Sequence, residues 1–272
     1  IAEALAAHVR NDQIIVLHPG GTGGVLELAT TFRRLKVVGH PLIAEVESFM
    51  YGSRKIGPAR VQITAAKRFG RIAALPARDT ERAVEALQDD YSFVAAKSVL
   101  TTSLTHMNAM LHVPGMVMNA GWVETTKGEF DFFRNGLSPA VARIIEGVDA
   151  ERMAVSDALG AEAISMVGFF KDSYQIETPT LFETIQTVAA TIYKASKAPA
   201  SLTSRYLSED VPTGLVPIAA LGEAVGVRVP LIGALIDLTS HIHGVDHWTM
   251  GRTLAKMGLE GKSCAEIQRI AI

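Results

Sequence analysis

The sequence predicts an α/β domain over residues 1–97, followed by an all-helical domain over residues 98–272. Short continuous apolar runs alternate with helical patterns as far as about residue 97, whereas long patterns with a 3.6-residue period dominate from Ser98 onward. In addition, 272 residues with 48% hydrophobic content can form two ordinary cores, because domains commonly have about 100–200 residues. We therefore expect two domains with a boundary near residues 95–100.

The elements predicted for residues 1–97 alternate between helices and strands. Strands are expected at short apolar runs, and helices where apolar residues recur every three to four positions. In chain order they are a helix at "IAEALAAHV", a strand at "QIIVLHP", a helix at "VLELATTFRRL", strands at "LIAEVESFMY", "ARVQITAAKR" and "GRIAALPA", a helix at "DTERAVEALQ" and a strand at "SFVAAK". This order is typical of the second half of a doubly wound α/β sheet.

The second domain is predicted from helical periodicity alone. Its expected helices lie at "SVLTTSLTHMNAMLH", "SPAVARIIEGVDAERMAVSDALG", "LFETIQTVAATIYKA", "VPIAALGEAVG", "PLIGALIDLTSHIH" and "DHWTMGRTLAKMGL". No strand pattern interrupts them, so we expect an all-α domain of roughly 175 residues, which is within the usual size of one domain.

The stretch "IIVLHPGGTGG", residues 14–24, places four glycines directly after an apolar strand. It does not match a dinucleotide fingerprint, because Leu26 stands where the third glycine belongs when the pattern is read from Gly21. It does not match a P-loop either, because Val25 rather than lysine follows Gly24. We therefore predict a tight turn that requires glycine and a helix from about Val25, whose first N–H groups can face an anion.

The composition argues against several classes of function. A net charge of −2 and a pI near 6.5 provide no basic surface for nucleic acid. Cys264 is the single cysteine, which excludes an intrachain disulfide and a multi-cysteine metal site and favours the cytoplasm. The longest apolar stretch, residues 214–238, is interrupted by charged residues and prolines, so we predict a pair of buried helices rather than a membrane span.

The chain begins within a helical pattern, with neither a methionine nor a leader sequence, so we expect further sequence before Ile1. In a doubly wound dinucleotide-binding domain the phosphate loop follows the first strand, and the ribose-binding acid comes about 20 residues later. Both features are expected upstream of Ile1, together with the residues that distinguish NAD from NADP.

Five motifs follow one another along the chain: "HPGGTGG", "SLTHMNAMLHVPGMVMNAG", "SPAVARIIEGVDAERM", "SRYLSEDVPTGLVPIAALGEAVGV" and "GRTLAKMGL". In this order they resemble the opine dehydrogenases, the octopine and nopaline dehydrogenase family, over nearly the whole chain. The resemblance implies a Rossmann-type domain and an all-helical domain, the two-domain plan of 6-phosphogluconate dehydrogenase. It also implies NAD or NADP as cofactor, and an amino acid and an α-keto acid as substrates.

Asn108 and His112 are four residues apart, so on a helix they share one face, and Pro114 is expected to disturb or end that helix. A histidine at a helix break can reach a cleft and exchange protons near neutral pH, although a hydrogen-bonded core histidine shows the same pattern. The resemblance implies that His112 is the catalytic histidine of the family's Asn-x-x-x-His motif. It does not extend to His106, which we interpret as structural.

The segment "SRYLSEDVPTG" contains Arg205 and Asp210 before Pro212, in what we predict to be a loop that leads into a helix. One interpretation makes Arg205 a surface cation and Asp210 a helix N-terminal charge. In the other, Asp210 orients the imidazole of His112 and Arg205 binds a substrate carboxylate. The resemblance implies the second interpretation, because the family has an arginine and an aspartate at this spacing.

The cluster "HIHGVDHW" contains residue types that bind metals, but its spacing matches no metal signature, so we predict a solvated helix junction and no metal site. His243 and His247 would share a helix face only if Gly244 does not break the helix. The methionines of "THMNAMLHVPGMVMN" are interpreted as packing residues.

These inferences predict an NAD(P)-dependent opine dehydrogenase with His112 and Asp210 as catalytic residues. Arg205 and Asn108 are predicted to bind substrate, and the turn at Pro19, Gly20 and Gly21 to contact the nicotinamide end of the cofactor or a substrate carboxylate. The alternatives are a ketopantoate-type or hydroxyacid-type reductase, which typically has a lysine on the catalytic helix, and a non-catalytic helical association module. We expect the protein to bind small molecules and to bind neither nucleic acid nor membranes. The sequence is also compatible with a homodimer.

Overall fold

The computed structural model describes residues 1–194 and 196–272. The strands of this part of the chain all lie before residue 96: β1 (Ile14–Leu17), β2 (Leu42–Val46), β3 (Tyr51–Gly57), β4 (Arg60–Ala66), β5 (Gly70–Leu75) and β6 (Phe93–Ala95). Three helices accompany them: α1 (Ala2–Leu5), α2 (Gly24–Arg34) and α3 (Thr80–Leu87). A 3-10 turn follows α1 at Ala6–His8, and another precedes α3 at Ala77–Asp79.

Helices make up the remainder of the described structure. They are α4 (Val99–Thr105), α5 (Asn108–Val117), α6 (Ala120–Thr126), α7 (Pro139–Leu159), α8 (Met166–Tyr174), α9 (Leu181–Thr191), α10 (Arg205–Ser208), α11 (Val216–Ala224), α12 (Pro230–His243), α13 (His247–Met250), α14 (Leu254–Met257) and α15 (Cys264–Ile270). Two π-helical turns occur among them, at Phe132–Gly136 and Val211–Leu215. The predicted combination of an α/β part and an all-α part is thus confirmed, while the boundary at residue 97 stays a prediction.

The main sheet has the strand order β1-β2-β5-β6. β1 runs parallel to β2, β2 antiparallel to β5, and β5 parallel to β6. β3 and β4 form a separate antiparallel hairpin. The single strand predicted at "LIAEVESFMY" was therefore wrong: β2 ends at Val46, and the chain enters the hairpin at Tyr51.

The sheet is covered by apolar side chains on both faces. In β2 and β5, Ile43 and Ala73 point into the large core that also contains most of the helical domain, whereas Ala44, Ile72 and Ala74 point into a smaller core under α3. This alternation follows from the two-residue period of a strand. The large core is continuous from α2 to α15, so the sheet and the helices are packed against each other.

The longest helix, α7, agrees with its predicted bounds because both ends carry clear signals. The hydroxyl of Ser138 caps its N-terminus, and Gly160 ends it in the left-handed conformation. The guanidinium of Arg152 is fully buried and donates to Asp149, to the carbonyl of Leu104 and, at 2.7 Å, to that of Ile164. Arg152 thereby ties the end of α4 to α7.

The helix predicted at "SVLTTSLTHMNAMLH" is instead two helices. His106 adopts an extended conformation (ψ 115°) that separates α4 from α5. Pro114, which we expected to disturb or end the second helix, lies inside α5, which continues to Val117. A proline removes only one N–H donor, and the packing of the buried α5 compensates for its loss.

Two further predictions of local structure were wrong. The segment around Pro212 is not a loop: α10, Glu209 and Asp210 have helical torsions and lead through the π-helical turn into α11. The segment "DHWTMGRTLAKMGL" forms two short helices, α13 and α14, because Gly251 is extended.

The helix predicted at residues 181–195 ends at Thr191. The last residue of the predicted helix, Ala195, lies outside the described residues.

None of the helices within the described ranges is both long and apolar enough to cross a membrane.

Candidate active site

His112 lies in the middle of α5 and forms a hydrogen bond with Asp210. The His112 Nδ1–H donates to Asp210 Oδ2 at 2.7 Å, the short distance expected when one partner is charged. Both groups are largely buried, with 14% and 9% of their side chains exposed. Asp210 reaches His112 because it directly precedes the π-helical turn that packs against α5. The predicted pair therefore exists, although His112 lies within a helix and not at an exposed helix break.

Aromatic rings enclose the imidazole of His112. The ring of Tyr206 on α10 stacks face to face on it, with centroids 3.6 Å apart and planes 5° apart. Phe132 presents its edge to the imidazole, with centroids 6.5 Å apart. Stacking and the bond to Asp210 together fix the plane of the imidazole. Tyr206 was not predicted as a site residue, although it adjoins Arg205 in the motif "SRYLSEDVPTG".

Arg205 and Glu209 form an ion pair on the turn that leads to Asp210. Arg205 Nε donates to Glu209 Oε2 at 2.6 Å, and a second nitrogen of the guanidinium lies 3.4 Å from Oε1. The Arg205 side chain is 68% exposed. Such an exposed pair contributes little to stability, roughly 0–1 kcal/mol. The guanidinium therefore already holds a carboxylate in its planar fork, and the next residue, Tyr206, stacks on His112.

A cavity of about 840 Å³ lies between the sheet and the helical domain. Its wall includes Asn108 and Asp210 from the helical side and Pro19, Gly20 and Gly21 from the glycine turn. The turn follows β1, at the carboxyl end of the strand, where ligands of doubly wound sheets collect. The structure thus brings together these five predicted residues around one space, with Arg205 joined to it through Glu209, another wall residue.

Three amides at the start of α2 and just before it already have protein acceptors. Thr22 N donates to the carbonyl of Thr213, Gly23 N to Ser103 Oγ, and Val25 N to Glu45 Oε2. We expected these N–H groups to face an anion; for Val25 N the structure instead supplies the buried carboxyl group of Glu45. The predicted ligand contacts of the turn therefore rest on Pro19, Gly20 and Gly21.

Glu45 was missed by sequence analysis, because a carboxylate inside a strand pattern gives no sign of its partners. It is 1% exposed and also accepts hydrogen bonds from Thr102 Oγ1 at 2.8 Å and Ser103 Oγ at 2.6 Å. Burial raises the pKa of its carboxyl group, and the bonds from Ser103, Val25 and Thr102 partly offset that shift. Glu45 thus connects β2 to the start of α2 and to the middle of α4.

His106 combines a structural position with a place on the cavity wall. It is buried, and its Nδ1–H donates to the carbonyl of Glu47 at 2.9 Å. Burial lowers the pKa of His106, while the charge of Asp210 acts in the opposite direction. A neutral His106 is thus held close to the His112–Asp210 pair.

The histidines of "HIHGVDHW" form a hydrogen-bonded pair. Gly244 ends α12 in the left-handed conformation, yet His243 Nδ1 and His247 Nε2 are 2.9 Å apart. His243 Nε2–H donates to the carbonyl of Leu202 at 2.9 Å. Within the described residues, no group of three or more histidine, cysteine or acidic side chains could hold a metal ion.

Comparison with known proteins identifies relatives of the chain. Residues 95–243 match the model of the family described as "NAD/NADP octopine/nopaline dehydrogenase, alpha-helical domain". An opine dehydrogenase of Arthrobacter sp. (strain 1C) is 38% identical over 98% of this chain and 74% of its own length. A vitopine synthase of Allorhizobium ampelinum (strain ATCC BAA-846 / DSM 112012 / S4) is 26% identical over 92% of this chain and 68% of its own length.

Solved structures of an octopine dehydrogenase share the fold. Its complexes with NADH and L-arginine, NADH and agmatine, and NADH and pyruvate superpose with TM-scores of 0.72, 0.75 and 0.70. They are 17%, 18% and 19% identical to this chain, and each comparison covers 98% of this chain and 74% of the other. A Rossmann-type domain joined to a helical domain is thereby confirmed.

The family model spans more than half of the chain, and the Arthrobacter relative is similar over nearly all of it. The resemblance drawn from the five sequence motifs is confirmed, as are the cofactor class, NAD or NADP, and the enzyme class, an oxidoreductase that acts on the CH–NH group of donors. The chain belongs to the octopine/nopaline dehydrogenase family.

Proposed function

We propose that the protein joins the amine of an amino acid to the keto carbon of an α-keto acid and reduces the resulting imine, reversibly. The observation that carries this proposal is the His112–Asp210 hydrogen bond of 2.7 Å, in which Asp210 lies on the wall of the cavity between the sheet and the helical domain. Amine addition and loss of water both require a group that accepts and then returns a proton near neutral pH, which a histidine oriented by a carboxylate can do.

The residues around the cavity fit the nicotinamide end of the cofactor. A Cβ on Gly20 would come within 2.5 Å of Glu45 Oε2, so only glycine lets this turn lie flat against β2 and leave space in front of it. Pro19, Gly20 and Gly21 would line the nicotinamide side of that space. When bound, the cofactor supplies the hydride that reduces the C=N bond.

His112 would move the protons. Because Nδ1–H donates to Asp210, Nε2 carries the lone pair in this tautomer. In the proposed sequence Nε2 accepts a proton from the substrate ammonium, so that the nitrogen can attack the keto carbon. It then returns that proton to the hydroxyl of the carbinolamine, which leaves as water. Asp210 stabilises the imidazolium between these two transfers.

Arg205 and Asn108 would hold the substrates. A substrate carboxylate would replace Glu209 in the planar fork of Arg205, and it would take up the same bidentate geometry. Asn108 shares a face of α5 with His112 and lies on the cavity wall, where its amide can bind a carboxylate or carbonyl oxygen. Holding both substrates in line accounts for a large part of the rate enhancement in such a condensation.

The first substrate pairs to test come from the octopine dehydrogenase complexes, which contain L-arginine, agmatine or pyruvate. The protein is mixed with NADH or NADPH, pyruvate and single amino acids, and loss of nicotinamide absorbance is followed. The product is identified by mass spectrometry. A condensation product is lighter than the sum of the two substrates by one oxygen atom, because water is lost and two hydrogens are gained.

The same assay distinguishes the alternatives. Oxidation of the cofactor with keto acid alone, giving the hydroxy acid, would indicate a ketopantoate-type or hydroxyacid-type reductase. Failure of NADH and NADPH to bind, measured by nicotinamide fluorescence, would favour a non-catalytic association module if a longer chain that includes the sequence expected before Ile1 also fails to bind them. Binding restored in the longer chain would favour the enzyme. A homodimer and a cytoplasmic location stay predictions, and light scattering of the purified protein tests the first.

A further inference from the structure

Arg252 lies between α13 and α14 and bridges the two domains. Its side chain is 11% exposed, and its backbone N–H donates to the carbonyl of Pro212 at 2.7 Å. Its guanidinium reaches the glycine turn. Nothing in "GRTLAKMGL" distinguishes this arginine from an ordinary surface cation.

The guanidinium contacts both domains at once. Arg252 Nε donates to Glu27 Oε2 on α2 at 2.7 Å. Its Nη1 lies 2.7 Å from the carbonyl oxygen of Thr22, 3.3 Å from that of Gly20 and 3.3 Å from that of Thr213. One nitrogen is therefore shared between the glycine turn and the π-helical turn.

Arg252 joins the glycine turn, which carries the proposed nicotinamide contacts, to the π-helical turn, which directly follows Asp210. Gly20 lies on the cavity wall, and Thr213 is three residues after Asp210. A direct bond from Thr22 N to the carbonyl of Thr213, at 3.0 Å, adds to the connection. The contacts thus set the distance between the glycine turn and the segment that holds His112 in place.

We propose that Arg252 is a positioning residue that fixes the His112–Asp210 pair relative to the glycine turn, where the nicotinamide ring is expected. The inference rests on the proposed function. A guanidinium is required because it donates along several fixed directions, whereas a lysine ammonium is a single point charge on a flexible stem. Arg252→Lys would keep the ion pair with Glu27 but would not span both turns.

The test compares Arg252→Lys with the wild type in kcat, in the dissociation constant of NADH or NADPH and in melting temperature. We expect kcat to fall roughly 10- to 100-fold, because small misplacements of reacting groups have effects of that size. The dissociation constant should change much less than kcat. Glu27→Gln, which removes only the charge of the group that accepts from Nε, serves as a milder second variant and should lower kcat in the same direction.

The matched control is Arg82→Gln, which removes an exposed arginine that pairs with Asp79 on the far side of the sheet domain. It should leave kcat unchanged. A double-mutant cycle that combines Arg252→Lys with Asp210→Asn separates a positioning role from a merely structural one. If Arg252 acts through Asp210, the two losses in kcat should not multiply.

Arg252→Lys and Glu27→Gln with wild-type kcat and a lowered melting temperature would overturn the inference, since Arg252 would then only stabilise the fold. Losses that multiply fully in the cycle would also contradict it. Failure of the proposed function itself appears separately, as a wild-type protein that forms no condensation product.

Discussion

At the scale of single residues, the site depends on three polar side chains whose partners differ in character. His112 and Asp210 are buried and bonded to each other, whereas Arg205 is exposed and paired with Glu209. A buried, charge-assisted bond resists exchange, while an exposed ion pair opens readily. The structure therefore separates a buried histidine–carboxylate pair, which we propose transfers protons, from an exposed arginine that can change its carboxylate partner.

Arg205→Lys should raise the KM for the substrate whose carboxylate Arg205 binds, by roughly 10- to 100-fold, because a lost charge-assisted bond is worth about 1.5–3 kcal/mol. The effect on kcat should be smaller. Steady-state kinetics with the amino acid and the keto acid varied separately measure both constants. If neither KM changes, Arg205 does not bind substrate.

Much of the candidate site could be predicted from the spacing of its residues in the sequence. The four-residue separation of Asn108 and His112 and the five-residue separation of Arg205 and Asp210 are visible in the sequence. The stacking of Tyr206 on His112 and the bond from Val25 N to Glu45 are not, because both depend on contacts between different segments of the chain.

At the scale of elements, the π-helical turn and α5 approach each other so closely that no side chain fits between them. A Cβ on Gly214 would lie 2.5 Å from the Cβ of Ala109, which is one turn before His112 on α5. This contact sets how near Asp210 comes to His112. A π-helical insertion beside a functional group is a recurrent arrangement.

Gly214→Ala should push the π-helical turn away from α5. Overpacking of this kind costs about 1–3 kcal/mol of stability, measured by urea unfolding, and kcat should fall at the same time. Gly121→Ala is the matched control, because a Cβ there would meet nothing within 4 Å on helix α6. Normal kcat and stability in Gly214→Ala would show that this contact does not position Asp210.

Elements with local signals were predicted well, and those without them were not. Helix α12 has its proline start and glycine end in the sequence, and it was predicted at its observed bounds. The break at His106 has neither glycine nor proline, and the helical torsions before Pro212 oppose the usual preference for extended structure. Tertiary packing determines the backbone conformation at both positions.

At the scale of the whole molecule, stability should depend on pH through His106. Burial lowers its pKa below the unfolded value of 6.5, so the unfolded chain binds more protons when the pH lies between those two values. The free energy of unfolding should therefore fall as the pH decreases below 6.5, by up to about 1.4 kcal/mol per pH unit for one proton.

His106→Asn can keep a donor for the carbonyl of Glu47 but cannot titrate. Urea unfolding of both proteins between pH 5 and 7.5, a range chosen to bracket the ordinary histidine pKa of about 6.5, should show a stability difference that shifts in favour of the variant at low pH. A difference that is independent of pH would mean that His106 is protonated equally in both states.

The division into a sheet part and a helical part could be predicted from the sequence, since the hydrophobic periodicity changes near residue 98. The strand order could not be predicted, because strand pairing between distant segments leaves no local pattern. Strand β3 of the hairpin could not be predicted because its sequence, YGSRKIG, has no apolar run. The cavity between the parts and the bridge made by Arg252 likewise appear only when the two parts are assembled.

The most direct test of the central claim, that His112 transfers the protons of the condensation, is the kcat of His112→Asn measured alongside its affinity for the cofactor. Asparagine can still donate to Asp210 but has no second nitrogen to carry a proton. We expect kcat to fall by about 10²- to 10⁴-fold with the cofactor dissociation constant unchanged. A kcat close to that of the wild type would contradict the account.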